Sequence, residues 1–105
     1  MSLPQIDSFQ VIADPCRREI LRLLESENKT ISNISENFQI SRPAISKHIK
    51  ILETFGFLTI VNNGRERICT LSPKGFEEIS QWIAHYENFW AQKMKNFENL
   101  LNQDL

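Results

Sequence analysis

Apolar positions along the chain change their period twice. From residue 8 to residue 55 they recur at helical spacing, and from 58 to 71 they crowd into short runs that suit strands. From 76 to 100 the helical spacing returns. In the first segment Asp7 or Ser8 can cap a short helix carrying Phe9, Val11 and Ile12. The stretch ADPCRREILRLLES then offers Asp14 as a cap and Pro15 at the first helical position, where a missing N–H costs nothing. Cys16, Ile20, Leu23 and Leu24 follow its period; Arg17, Arg18 and Arg22 do not. In KTISNISENFQIS, Thr30 is a cap and Ile31, Ile34 and Phe38 share a face, which predicts a helix of about two turns.

A second helix follows at once. Ser41 caps it, Pro43 lies in its first turn, and Ile45, Ile49 and Leu52 form its buried face. Gly56 supplies the left-handed residue after the last turn, so Phe57 should fold back toward Leu52. Two short helices joined by about three residues form a helix-turn-helix candidate. Beyond it, LTIVNNGRERICTL reads as a hairpin, with Asn-Asn-Gly at the turn, Arg65 at the tip and Arg67 just inside. Ser72 and Pro73 open a last helix expected to run to about Asn102. The predicted fold is mainly α with a small β-hairpin: a winged helix-turn-helix with a long C-terminal dimerisation helix. Residues 1–105 then form one domain, with the helix-turn-helix at about 30–55, the wing at about 58–71 and the final helix at about 73–102.

Charge sharpens this picture. The chain carries a net −1, yet its positive charge is concentrated. Residues 41–67 hold Arg42, Lys47, Lys50, Arg65 and Arg67 against Glu53 and Glu66, while both flanks are net acidic. Such a window steers an anionic partner to one face. If the helix beginning at Arg42 enters a DNA major groove, Ala44 and Ser46 permit close approach and Arg42 is long enough to reach guanine acceptors. Ser41 either caps the helix or contacts phosphate. Arg65 at a wing tip suits a narrow minor groove or the backbone. The competing reading is an ordinary amphipathic helix with a solvated basic face; the short preceding helix and the wing arginine weigh against it. His48 fits either the edge of the core or a phosphate contact. Lys29, Arg17 and Arg18 read as surface residues or salt-bridge partners.

Other chemistry finds little support. His48 and His85 have no cysteine or acidic partner at motif spacing, and no glycine-rich phosphate loop is present, so no catalytic residues are expected. Cys16 and Cys69 form no metal-ligand spacing and read as small apolar packing residues in a reducing, cytoplasmic setting. No long apolar run predicts membrane insertion, and the start MSLPQIDSFQVIAD has no secretory character. The final helix is unusual. Phe76, Ile83, Trp90 and Phe97 recur every seven residues, flanked by Ile79, Tyr86 and Leu100, and Met94 lies beside Lys93, which interrupts the row. Trp82 and Phe89 widen this stripe beyond what one small core needs. It is expected to meet the same helix or the first helix of a second copy; folding back onto its own domain is the alternative.

Three blocks, ADPCRREILRLL, ISRPAISKHIKILETFGFL and GRERICTLSPKGFEEISQWI, resemble the ArsR-type winged-helix repressors in order and spacing. The resemblance implies a homodimeric regulator of transcription on double-stranded DNA, binding a partly palindromic operator, with the first and last helices at the dimer interface. By position, Ser41, Arg42, Pro43, Ala44, Ser46, Lys47 and His48 fall in its recognition-helix segment, with Lys50 one turn further on, and Arg65 and Arg67 in its wing. Many such proteins bind metal through cysteines in the first helix of the helix-turn-helix or through acidic and histidine ligands on the last. Here TISNISENF has neither Cys nor His and His85 stands alone, so no metal site and no cofactor are expected. A subset shares the aromatic style of YENFWAQKMKNFENLL and takes its signal from a membrane partner, which hints at a regulatory protein partner. A protein-interaction module built on the same scaffold without DNA is the rival function.

Overall fold

The computed structural model describes residues 6–103. Helix α1 (Ser8–Ala13) starts with a capping box: Asp7 accepts from the Gln10 N–H at 3.0 Å, and the Gln10 side chain accepts from the Asp7 N–H at 2.8 Å. Asp14 then turns the chain into α2 (Pro15–Leu23), accepting from the Arg17 N–H at 3.1 Å. The terminal carbonyls of α1 would be orphaned at this sharp junction. Two arginines answer them. Arg17 donates from Nε to Val11 O (2.6 Å) and from Nη2 to Gln10 O (3.2 Å); Arg18 donates from Nη1 to Ile12 O (2.7 Å) and Ala13 O (3.0 Å). Arg17 also lies 4.0 Å from Asp14, and Lys29 pairs with Glu27 at 3.0 Å. The α2 face differs from the expected row: Leu21 is buried, whereas Cys16 and Leu23 are only half-buried. Leu21 also borders a cavity shared with Leu71 and Phe76.

Strand β1 (Lys29–Thr30) had no counterpart in the sequence reading. It pairs antiparallel with β3 (Glu66–Leu71), which also pairs with β2 (Leu58–Asn63), so the wing belongs to a three-stranded sheet of order β1-β3-β2 rather than a two-stranded hairpin. Two residues are too few to show alternation; β1 exists because β3 offers it a free edge. Leu58 and Cys69 turn into the core, with Ile60 and Leu71 half-buried beside them, while Val61 on the other face is exposed. Gly64 (φ +66°) and Arg65 make a two-residue turn between the paired Asn63 and Glu66. A positive φ at the first central residue alone is the type II′ pattern, which matches the twist of the strands.

Helix α3 (Ile31–Ser35) is shorter than the two turns expected, capped by Thr30 accepting from the Asn33 N–H at 3.1 Å. Ile31 and Ile34 are buried, and Phe38 packs on the core from beyond the helix end. Helix α4 (Arg42–Thr54) buries Ile45, Ile49 and Leu52, and the Ser41 hydroxyl accepts from the Ala44 N–H at 3.3 Å. It ends in a Schellman stop: Gly56 takes φ +82°, Phe57 N–H donates to Leu52 O (2.9 Å) and Gly56 N–H to Glu53 O (3.1 Å). Phe57 is fully buried and stacks edge-on against Phe76, with ring centroids 4.9 Å apart.

The last element opens with a 3₁₀ turn (Lys74–Phe76) before α5 (Glu77–Gln103), so the regular helix starts later than Pro73 suggested. Gly75 N–H donates to Gly56 O at 2.7 Å, which brings the two backbones together over Phe57. The 27 residues of α5 span roughly 40 Å, and none of them is buried. The radius of gyration is 19.7 Å, against about 13 Å for a compact chain of this length; α5 projects from the body.

A Cβ at Gly75 would lie 2.6 Å from Phe57 Cγ and 2.7 Å from Phe57 N. The ring is enclosed and cannot yield. Gly75→Ala is therefore expected to lower unfolding free energy by about 1–3 kcal/mol, measured as a shift in the urea midpoint with unchanged slope.

Candidate nucleic-acid interface

The structure places the predicted contact residues in three settings. The cap Ser41, Arg42, Pro43 and Lys47 are exposed at the start of α4 and Lys50 further along it, while Ala44, Ser46 and His48 are half-buried. The exposed cations are not equivalent. Lys50 is 3.2 Å from Glu53, whereas Lys47 has no ion pair among the described residues. The geometry therefore leaves Lys47 the freer charge.

His48 points into the α2–α4 junction, where its Nδ1 lies 3.3 Å from Arg17 Nη1. Arg17 can only donate, so Nδ1 is the acceptor and the ring proton sits on Nε2. Folding also brings Asp14, Cys16 and His48 together, their ligating atoms within 4.8 Å of one another. That grouping has the residue types of a zinc site, yet the permanent charge of Arg17 beside the imidazole opposes a second cation. Burial pushes the Asp14 carboxyl up, but the Arg17 N–H bond, the neighbouring His48 ring, the Arg17 guanidinium and the Cys16 N–H outweigh it and hold the group below its ordinary value. The cluster reads as a strut between α2 and α4.

Wing and helix meet in a cleft of about 200 Å³ lined by Arg42 from α4, Arg65 and Arg67 from the wing, and Thr30 to Asn33 from β1 and α3, with Glu66 also on its wall. None of the three arginines forms an ion pair among the described residues. Ser32 and Asn33 were not among the sequence candidates. Both are exposed polar residues of α3 that carry no charge to mark them, and only the closure of the wing against α3 sets them beside the arginines.

The dimer candidates form a continuous surface on α5. Ile83, Tyr86, Trp90, Met94, Phe97 and Leu100 are all exposed, joined by Trp82, Phe89 and Leu101, while Ile79 packs on the core and the partly exposed Phe76, in the preceding 3₁₀ turn, stacks on Phe57. Phe9 of α1 meets Trp82 edge-on at 5.6 Å, which adds α1 to this surface. Lys93, which interrupts the apolar row, holds its ammonium 5.4 Å over the Phe89 ring. Beyond Trp82 the aromatic contacts are all within α5: Trp82–Tyr86, Tyr86–Phe89 and Phe89–Trp90. The start of the helix meets the rest of the domain at Ile79 and Trp82, and beyond them its apolar side chains are exposed. No helix among the described residues is long and apolar enough to cross a membrane.

A helix-turn-helix backed by a three-stranded wing, with a cationic face and an added helix, defines a winged-helix nucleic-acid-binding fold. Residues 14–59 match the family described as "Bacterial regulatory protein, arsR family". The chain is 32% identical to the transcriptional repressor SdpR of Bacillus subtilis over 80 residues, covering 76% of this chain and 89% of that protein. It is 33% identical to the arsenical resistance operon repressor of Staphylococcus xylosus over 82 residues, covering 77% and 79%. A crystal structure of an ArsR family transcriptional regulator superposes with a TM-score of 0.74 at 32% identity, covering 80% of this chain and 92% of that one. The solution structure of a homodimeric winged helix-turn-helix domain from Mycobacterium bovis shares the fold at a TM-score of 0.58 and 15% identity. The chain belongs to the arsR family of bacterial regulatory proteins.

The thiols give a separate check on the packing. Burial pushes Cys69 up to about 11, with Glu53 adding to the rise and Arg67 opposing it; burial and then Asp14 raise Cys16. A raised value depletes the reactive thiolate at neutral pH. At pH 8 Cys69 should resist a disulfide reagent until the protein unfolds and Cys16 should react slowly, as read by reagent absorbance with and without urea.

Proposed function

We propose that this protein is a sequence-specific, DNA-binding regulator of transcription, acting as a homodimeric repressor on a partly palindromic operator. The observation that carries this reading is the shared exposure of Ser41, Arg42 and Lys47 at the start of α4 and of Arg65 and Arg67 on the wing, in a chain of the arsR family. The open end of α4 enters the major groove, with Ala44, Ser46 and Lys47 nearest the bases, and Arg65 reaches the adjacent minor groove or the backbone. His48 braces α4 from behind through Arg17, and Lys50 lies at the margin. The rival reading, a protein-interaction module without DNA, leaves the unpaired arginines of the cleft with nothing to meet.

Pairing follows from α5. A 27-residue helix with an aromatic stripe and no buried residue is supported best as half of an interface. Two copies joined along α5 and α1 would present two α4 helices for half-sites about one DNA turn apart. The domain bounds, the cytoplasmic location and the absence of a cofactor belong to this same reading. A regulatory protein seated on the distal end of α5 is a second route for the signal, favoured by the exposure of Phe97, Leu100 and Leu101.

In a fluorescence anisotropy titration with its own promoter region, affinity should fall steeply with salt, about 0.9 in log slope for each phosphate contact. Lys47→Ala should weaken the specific duplex more than random DNA. Salt-insensitive or absent binding would remove the proposal. Replacing Trp90 and Phe97 together with alanine should shift sedimentation toward monomer and lower operator affinity by roughly tenfold or more, because the second half-site is then engaged independently.

A further inference from the structure

Three guanidinium groups gathered in one cleft, none in an ion pair among the described residues, are an unfavourable arrangement in the free protein. Arg42, Arg65 and Arg67 come from two elements far apart in sequence, yet they line the same space, and only Glu66 opposes them there. The remaining lining is polar: Thr30, Ser32 and Asn33 offer hydroxyls and an amide, while Ile31 is buried. A concave, polar site with a surplus of two positive charges suits an oxyanion, and arginine forks suit the paired oxygens of a phosphate.

Its position names the source of that phosphate. When a helix occupies the major groove and the wing occupies the neighbouring minor groove, the sugar–phosphate strand is the wall between them. A cleft flanked by the first residue of α4 on one side and by the wing on the other is where that strand must run. We infer that each protomer clamps one backbone phosphate of its half-site in this cleft, with Arg42 and Arg67 as the charged jaws, Arg65 at the outer rim, and Ser32 and Asn33 donating from α3. The inference rests on the DNA-binding reading above. It changes the role of Arg42, which the sequence offered as a reader of guanine: Arg42 becomes a positioning residue, and base discrimination falls to Ala44, Ser46 and Lys47. It also makes Glu66 an electrostatic brake on affinity.

The test uses a duplex enriched by the full-length protein from a random library, remade with one neutral methylphosphonate at each backbone position in turn. Wild-type protein should lose about tenfold or more at one position per half-site, the value of a charge-assisted hydrogen bond. Arg42→Ala and Arg67→Ala should bind the unmodified duplex less tightly, and at that same position lose less than about twofold further, since the partner charge is already gone. Asn33→Ala should show a partial version of the same coupling. Arg42→Ala should enrich the same sequence as wild type, and Glu66→Gln should tighten binding several-fold. Thermal unfolding of each variant, expected to match wild type because these side chains are exposed, separates binding from folding.

Three results would overturn the clamp. One is an enriched duplex in which no phosphate couples to Arg42 and Arg67. Another is a changed base preference in Arg42→Ala with the methylphosphonate loss intact. The third is saturable binding of inorganic phosphate to the cleft at low millimolar concentration without DNA, followed by amide shifts at Asn33 and Arg42, which would make the cleft a site for a free anion. Failure to enrich any duplex would instead defeat the DNA-binding reading and the clamp with it.

Discussion

Burial of Phe57 beneath the Gly56–Gly75 backbone contact is the constraint on which the architecture turns. Phe57 is the residue that closes the Schellman stop of α4, the residue before β2, and the ring against which Phe76 stacks. One side chain therefore relates the recognition helix, the wing and the start of α5. Two glycines make this close approach feasible, for different reasons. Gly56 must adopt a positive φ, and Gly75 must have no Cβ because Phe57 fills that space. The contact ties the start of α5 directly to the end of α4, beside the second link that Trp82 makes to Phe9 of α1.

Charge is used in two ways in this small protein. Arg17 and Arg18 are turned onto α1, their donors taken up by its terminal carbonyls, and Arg17 also braces His48. Arg42, Arg65 and Arg67 form no ion pair among the described residues and face outward together. The first pair stabilises the body; the second set leaves a local excess that net charge conceals. A chain at −1 overall can thus present a cationic face to an anionic partner while its acidic flanks disfavour indiscriminate association.

The long helix creates the opposite imbalance. Its Trp, Tyr, Phe and Met side chains remain exposed along most of α5, a larger apolar surface than a soluble monomer ordinarily shows. Association along this face would bury the stripe and set the separation of the two α4 helices. Stability and site geometry would then share one interface, and a small core would gain the apolar burial it lacks alone.

Much of the helical framework was legible because local rules are strong there. Asp7, Asp14, Thr30 and Ser41 all cap the helices they precede, and Gly56 stops α4, since capping depends on only a few neighbouring residues. The wing turn and the aromatic period of the last helix were equally local. What escaped the linear reading needs partners distant in sequence. β1 is a strand only because β3 lies beside it; Leu21 is buried only because other elements close the core around it; Gly75 is obligatory only because Phe57 arrives from another element. The cleft shows the same division. Its arginines were visible as charges, but that Arg42 stands with Arg67 and Asn33, while His48 turns inward to Arg17, is a matter of which surfaces the closed sheet and helices bring within a side chain's reach.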